Sequence, residues 1–365
     1  MKILHVIPSL GVGGTEKILF ELCRRMDPLK FRHSVVSLKS GGAALEALRG
    51  IPVPAIVLGC REGFWPGVFE VPRLLSDLGK VIRELSPDII QTWLTRANVL
   101  GRLAARGSGA PVVSALRVME AEKSYHLWAE RLTSGLARVV TVNCPALKDF
   151  AVSRIGIPEA KVRLIPNGVE VPPPGGAGPA GRRGGGIRVI GTLGRLHRQK
   201  GMDIFLRAAG TVLGEFPDAR FVLAGEGPER GNLEALAREL GLSGSVEFPG
   251  LEDSSRFFSR IDCFVLASRW EGMPNVLLEA MARQVPVAAT AVGGAADLIS
   301  GEDVGLLSPP EDPGALARSV ARLMRDPDGA AGMALAARDR VRERFSMERM
   351  VRSYEELYAS LRPES

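Results

Sequence analysis

Along this chain, short apolar runs alternate with longer stretches in which apolar residues recur every three or four positions. The short runs, rich in Val, Ile and Leu, predict buried strands, and the amphipathic stretches predict covering helices. The first strand is expected at Lys2–Ile7, followed by a glycine-rich turn and a helix from about Glu16 to Met26. Further strands are expected at Ser34–Leu38, Asp88–Thr92, Pro111–Ser114 and Arg138–Val142, the last after a helix around Tyr125–Ala137. Strand then helix, repeated, argues for parallel sheets covered on both faces.

The pattern breaks at Pro172–Gly181, a run of Pro, Gly and Ala that cannot pack regularly and reads as a linker over residues 172–186. A second series opens at Ile187–Gly191 and continues through Arg220–Ala224, Ser245–Phe248, Cys263–Leu266 and Val285–Ala289, with a closing helix from Ser346 to Leu361. The expected division is an α/β domain over 1–171 and a second over 187–345. A chain of 365 residues is too long for one ordinary domain and suits two.

Composition narrows the class. No run of about 18 apolar residues occurs, so no spanning helix is expected. The opening Lys2–Pro8 is too short and too soon interrupted for a signal peptide. Cys23, Cys60, Cys144 and Cys263 show no C-x-x-C spacing, so neither a zinc site nor a disulfide framework is expected. Reduced, buried thiols of a cytoplasmic protein are the simplest account. Charge is uneven. Residues 1–171 hold 23 Lys+Arg against 15 Asp+Glu, net +8, whereas the remainder holds 24 against 26, net −2. A basic first half suits anionic lipid headgroups or a pyrophosphate-linked lipid at the inner face of a membrane; solvated surface arginines are the plain alternative. Aromatics make up only 5% and interleave with no basic stripe, so nucleic acid is not the expected partner.

The most informative stretch is Arg269-Trp270-Glu271-Gly272-Met273-Pro274-Asn275-Val276-Leu277-Leu278-Glu279, two carboxylates seven residues apart with Gly and Pro between them. Proline suits a first helical position, and Asn275–Arg283 reads as a short buried helix ended by Pro286. The free N–H groups and positive dipole end at its start suit a phosphate. Glu279 lies about 7 Å further along the helix, close to the span from a bound diphosphate to its own ribose. Glu271, on the other side of the phosphates, can hold a transferred sugar. An isolated pair of this kind is equally a capped helix with one solvated Glu. After the strand ending at Gly191, Gly194, Arg195 and Lys200 lie in one loop. An arginine fork and a lysine point charge are what a leaving diphosphate needs.

Two glycine-rich turns raise a dinucleotide-binding alternative. The G-x-G-x-x-G fingerprint needs its last glycine for close packing; counting from Gly11 the sixth position is Glu16, and from Gly225 it is Arg230. The carboxylate expected some 20 residues on is also missing, since the second strand runs into Lys39-Ser40-Gly41. Hydride transfer is not expected.

Taken in order, Gly11-Val12-Gly13-Gly14-Thr15-Glu16, Ile165-Pro166-Asn167-Gly168-Val169, Gly194-Arg195-Leu196-His197-Arg198-Gln199-Lys200-Gly201, Gly225-Glu226-Gly227-Pro228, Val246-Glu247-Phe248-Pro249-Gly250 and the two-glutamate stretch resemble the motifs of the family 4 glycosyltransferases, across nearly the whole chain. The resemblance implies the GT-B fold: two Rossmann-like, doubly wound parallel-sheet domains facing each other across a cleft, with the terminal helix, residues 346–365, crossing back to the first. It implies donor phosphates on Arg195 and Lys200, and catalytic roles for Glu271, Arg195 and Lys200. Close backbone approach is implied at Gly13 and Gly14. Glu226 would line the site, and the nucleobase would lie on the backbone of Phe248, Gly250 and Leu251. Gly272, Met273, Pro274, Asn275 and Glu279 complete the implied donor set. Two departures stand out: Gln284 occupies a position where the family often has glycine, and Ser114–Glu122 lacks the histidine common near the donor sugar. Arg117 and Glu120, with Arg96 and Asn98, are the guesses for the acceptor side.

Asp326-Pro327-Asp328 looks like a metal-holding D-x-D triplet, but Gly329 follows and a turn is the plainer reading. With Arg195, Lys200 and a helix terminus supplying positive charge, no metal or other cofactor is expected. The resemblance implies transfer of a sugar from a UDP- or GDP-sugar to a glycan or lipid-linked glycan hydroxyl, with retention and by a front-face route in which the leaving phosphate takes the proton. Retaining hydrolases instead set two carboxyls about 5 Å apart, closer than the helix permits for Glu271 and Glu279. A nucleotide-sugar epimerase, or a non-catalytic binder on the same fold, is the alternative.

Overall fold

The structure is a computed structural model that describes residues 1–11, 13–39, 42–60, 70–119, 124–173 and 186–362. The chain forms two compact units, Met1–Asn167 with Met347–Ser365, and Gly168–Ser346.

In the first unit the order is β1 (Lys2–Ile7), α1 (Gly14–Arg25), β2 (Arg32–Lys39), α2 (Ala43–Arg49), β3 (Ala55–Cys60), α3 (Glu70–Leu85), β4 (Ile89–Trp93), α4 (Leu94–Ala104), β5 (Val112–Ala115), α5 (Ser124–Thr133), β6 (Val139–Val142), α6 (Pro145–Phe150) and β7 (Val162–Leu164). All seven strands pair in parallel, in the order β3-β2-β1-β4-β5-β6-β7. Side chains alternate across a strand, and β1 shows the result: Ile3 and Ile7 enter one core and Leu4 and Val6 the other. Burial on both faces explains why these strands read as continuous apolar runs.

The second unit runs β8 (Val189–Leu193), α7 (Met202–Glu215), β9 (Arg220–Ala224), α8 (Arg230–Glu239), β10 (Val246–Glu247), α9 (Ser254–Arg260), β11 (Cys263–Leu266), α10 (Asn275–Ala282), β12 (Val287–Thr290), α11 (Gly294–Leu298), β13 (Leu306–Ser308), α12 (Pro313–Arg325) and α13 (Pro327–Arg344). Its parallel sheet has the order β10-β9-β8-β11-β12-β13, the doubly wound arrangement in which strand order reverses beside the first strand. The expected strands at Arg220–Ala224 and Cys263–Leu266 are found with those bounds.

The last helix, α14 (Met347–Ser360), belongs to the first unit. Met347, Met350, Val351, Tyr354, Leu357 and Tyr358 form an apolar stripe at helical spacing and bury against β1, β2 and α1. The Tyr358 hydroxyl donates to Gln91 Oε1 at 3.1 Å, so the buried phenol keeps a partner. The first unit ends at Asn167 rather than at residue 171. Beyond it the backbone joins the second unit: Val169 N–H donates to Phe345 O at 2.9 Å and Arg338 Nη2 to Pro172 O at 2.7 Å. Of the linker 172–186, residues 174–185 lie outside the described residues.

Candidate functional site

Open α/β sheets bind ligands beyond the carboxyl ends of their strands, where the strand order reverses. In the second unit that point lies between β8 and β11. The loop after β8 ends in a 3₁₀ turn, Arg198–Lys200, closed by Gly201 at φ 60°. A Cβ on Gly201 would lie 2.0 Å from Ala267 O, so only glycine lets this loop touch the end of β11. That approach sets Lys200 Nζ 2.6 Å from Glu271 Oε1, and Ser268 Oγ donates to the same oxygen at 2.7 Å. Glu271 is 5% exposed, whereas the Lys200 side chain is 23% exposed.

Arg269 fixes the two loops together. Its guanidinium grips Asp203 with two hydrogen bonds of 2.8 and 2.7 Å, holds Glu311 Oε1 at 2.6 Å and donates to Arg198 O at 2.9 Å. Burial, the largest influence, pushes the Asp203 carboxyl upward, but the Arg269 hydrogen bonds and charge with two backbone N–H groups outweigh it and leave it below its ordinary range. Gln199 adds a bond from Nε2 to Trp270 O at 3.0 Å. On the far side, Gly293 at φ 48° would place a Cβ 2.1 Å from Glu271 O, and Gly294 N–H donates to Gly272 O at 2.6 Å. The peptide carrying Glu271 is therefore clamped from both sides.

Arg195 is exposed, and its guanidinium makes no hydrogen bond or ion pair among the described residues. Beside it, Gly225 at φ 135° and Gly227 run against Gly194 O and Leu196 O, where any Cβ would clash at 1.9 and 2.3 Å. Gly225 N–H donates to Gly250 O at 2.7 Å. Arg230 bonds Glu226 Oε1 through Nη1 and Phe248 O through Nη2 at 3.2 Å. These contacts gather Gly194, Glu226, Phe248 and Gly250, with Leu251 exposed next to them.

Pro274 is the N-cap of α10 and not its first helical residue, because its extended backbone (ψ 104°) lets its carbonyl accept from Leu277 and Leu278 N–H at 3.1 and 3.3 Å. Gly272 and Met273 are buried before it and Asn275 is half-buried. Glu279, one turn into α10, is buried and accepts from Ser254 Oγ. Ser254, Ser268, Asp203 and Arg269 were not foreseen from the sequence.

The first unit has its own reversal, between β1 and β4. Gly13 caps α1, and a Cβ there would lie 2.4 Å from Glu16 Oε2; Gly14 is exposed as the first helical residue. Burial raises the Glu16 carboxyl, partly offset by its own backbone N–H. The acceptor-side guesses need correction. Asn98 is fully enclosed in α4, with its amide bonded to Thr92 Oγ1, Ala115 O and Glu130 Oε1 at 2.8–3.1 Å. It serves a buried network centred on the Arg102–Glu130 pair. Arg117 is buried over the Trp93 ring and bonds Asn167 Oδ1 at 2.5 Å and the Tyr354 hydroxyl at 2.6 Å. It ties the motif loop at Asn167 to α14. Arg96 is likewise buried in α4. Glu120 lies outside the described residues. Asp326, of the D-x-D triplet, caps α13 by accepting from Gly329 N–H at 2.9 Å, with Pro327 in the first turn. That is a helix cap.

Comparison with known proteins follows this division. The profile described as Glycosyltransferase Family 4 matches residues 12–171, and that described as Glycosyl transferases group 1 matches residues 187–326. The putative glycosyltransferase EpsF of Bacillus subtilis is 27% identical over 304 residues, covering 78% of each chain. An Escherichia coli UDP-Gal:alpha-D-GlcNAc-diphosphoundecaprenol alpha-1,3-galactosyltransferase is 24% identical over 89% of this chain and 88% of its own. Among solved structures, Anabaena HepE in complex with UDP and glucose superposes with a TM-score of 0.85 at 23% identity, over 99% of this chain and 100% of its own. At that identity the likeness shows the fold.

Proposed function

This chain belongs to the family 4 glycosyltransferases and is a glycosyltransferase of GT-B fold, and from that premise we propose that it moves a sugar from a nucleotide-diphosphate donor to a glycan or lipid-linked glycan hydroxyl, retaining the anomeric configuration. The observation that carries this reading is the Lys200–Glu271 contact at the strand reversal of the second unit. A mostly buried lysine with an open side, bonded to a buried carboxylate, offers both a charge for a diphosphate and an acceptor for a sugar hydroxyl, within one hydrogen bond of each other.

Arg195, Lys200 and the N-terminus of α10 meet the negative charge that grows on the leaving diphosphate, and with that charge supplied by the chain no metal is needed. Glu279, held by Ser254, takes the ribose hydroxyls. Gly225 and Gly250 let backbone approach the nucleobase beside Phe248 and Leu251. Glu271, fixed at Oε1 by Lys200 and Ser268, turns its other oxygen to the sugar. In the front-face reaction the bond from the anomeric carbon to the phosphate oxygen breaks. The acceptor oxygen bonds to the same face, and its proton passes to the departing phosphate. No protein nucleophile is required. The UDP bound in HepE supports a uridine donor, and the diphosphoundecaprenol named for the E. coli relative supports a lipid-linked acceptor.

Calorimetric titration with UDP, GDP, ADP and their common sugars, with and without EDTA, tests the site. One diphosphate binding with an affinity that EDTA leaves unchanged is expected. Binding of none of them would remove the donor assignment, and loss of binding in EDTA would remove the metal-free one.

A further inference from the structure

Four large apolar side chains stand in solvent along one short stretch of the first unit: Tyr125 is 44% exposed, Trp128 62%, Leu132 78% and Leu136 40%. Tyr125, Trp128 and Leu132 are spaced three and four residues apart on α5, so they share one face. The opposite face is inside, where His126, Glu130 and Thr133 are buried, Glu130 against Arg102. Glu130 is the one acidic residue between 124 and 138, and it points inward. What the outer face adds to its apolar groups is positive. Arg131 is exposed within the stripe and Arg138 just past it, and Arg154 is exposed on the turn Ala151–Ile155 packed against α5. Lys161 Nζ caps the stripe, donating to Gly135 O at 3.0 Å and Ala137 O at 3.1 Å.

Isolated exposed apolar residues need no explanation, but a contiguous patch does. An amphipathic element with Trp, Tyr and Leu on one side, and Arg and Lys among and around them, is built to lie in the headgroup region of a bilayer. We infer that α5 and the turn after it seat this enzyme on an anionic membrane surface, with Trp128 and Leu132 entering the interface and Arg131, Arg138 and Arg154 meeting lipid phosphates. Charge complementarity favours this occupant over a second copy of the chain, since two such basic faces would repel each other. The helix starts at the loop that leaves the carboxyl end of β5 and runs back toward the amino end of β6, so Tyr125 is the member of the stripe nearest the ligand-binding edge of the sheet. The inference extends the lipid-linked acceptor reading, yet vesicle binding needs neither donor nor acceptor, so the two can fail separately.

The test is co-sedimentation of the full chain with phosphatidylglycerol and with phosphatidylcholine vesicles, at low and high salt, alongside light scattering of the protein alone. Wild-type protein is expected on phosphatidylglycerol, released by salt, and weakly if at all on phosphatidylcholine. Trp128→Ser with Leu132→Ser should weaken phosphatidylglycerol binding at least about tenfold, with thermal melting and nucleotide titration unchanged. Leu29→Ser, at another exposed leucine of the same unit, should leave vesicle binding as it was. Equal binding by wild type and the double variant, or equal loss from Leu29→Ser, would overturn the assignment. So would a wild-type dimer that the double variant turns into a monomer without any vesicle binding.

Discussion

Each unit holds a close charged pair, the first between the helices α4 and α5 and the second in the loops beyond β8 and β11, and the two pairs serve opposite ends. In the first, Arg102 and Glu130 meet at 2.5 Å with both side chains sealed from solvent. Arg102 also donates to Ser114 and Thr133 and Asn98 donates to Glu130, while Arg102 Nη2 is buried without a partner among the described residues. In the second, Lys200 and Glu271 meet at 2.6 Å, but the lysine keeps an open side. Sealed charges can only hold the fold, because any ligand would have to displace a partner that nothing replaces. A pair with one open side can exchange its partner for a phosphate. Exposure of one member, rather than the presence of charge, marks the site.

The largest effect that follows is on catalysis. Glu271→Ala should lower kcat by at least about a hundredfold, the scale for a lost group acting at the transition state, with nucleotide affinity within a few-fold. Lys200→Ala should weaken both. Initial rates together with calorimetric titration separate the two cases, and near-normal transfer by Glu271→Ala would end its catalytic role. Neither substitution should lower the melting temperature much.

Glu130→Ala should do the reverse, costing about 3–5 kcal/mol of stability because Arg102 is left buried and unpaired. Chemical denaturation measures this loss. Turnover by the folded fraction at low temperature should stay near wild type, and a selective loss of turnover with unchanged stability would place Glu130 in the chemistry instead.

A difference in acid response sharpens the contrast. In the first unit His5 and His33 bond ring to ring at 2.9 Å, under Trp93, whose Nε1 donates to His5. Burial holds His33 down to about 4, and burial followed by the neighbouring His33 holds His5 well below 6.5. Folded histidines that stay neutral bind fewer protons than unfolded ones, so stability is complete above about pH 6.5 and falls as pH drops toward 4. For His33 the loss is on the order of 3 kcal/mol. Asp203, in the second unit, has a carboxyl held below its ordinary 3.8; its contribution stays intact through that window and is lost only at lower pH. Melting temperatures from pH 7 to 4.5 should fall for the wild type and fall less for His33→Gln. An equally steep decline in that variant would count against the histidine pair.

How much of this was readable in advance depended on sequence distance. Most strands were legible because burial on both faces leaves its mark in their residues, whereas the edge strands β3, β7 and β13 were not foreseen. Glu271, Lys200 and Glu279 were legible as motifs. Their supports were not: Asp203 and Arg269 lie 66 positions apart and meet only because β8 and β11 are neighbours, which no local pattern encodes. Asn98 and Arg117 misled because polar residues in a loop or helix suggest a surface. The apolar company of Asn98, between Ala97 and Val99-Leu100, was the available sign that it is buried and bonded to the fold.

The smallest effect concerns the one departure from the family that the structure explains. Gln284 follows the end of α10 at φ 57°, in the left-handed region where helices commonly stop on glycine. Its N–H still bonds Met281 O at 3.1 Å, and Val285 N–H bonds Ala280 O at 3.1 Å, so the closing turn is intact and the side chain alone carries the strain. A left-handed residue with a Cβ costs about 1–2 kcal/mol, part of which glycine returns through greater freedom in the unfolded chain. Gln284→Gly should therefore stabilise the protein by up to about 1 kcal/mol, a gain that denaturant titration resolves. The turn lies five residues past Glu279 on the element that carries the site, so unchanged nucleotide affinity is expected with it. A destabilised variant would mean that the glutamine side chain holds a contact worth more than the strain.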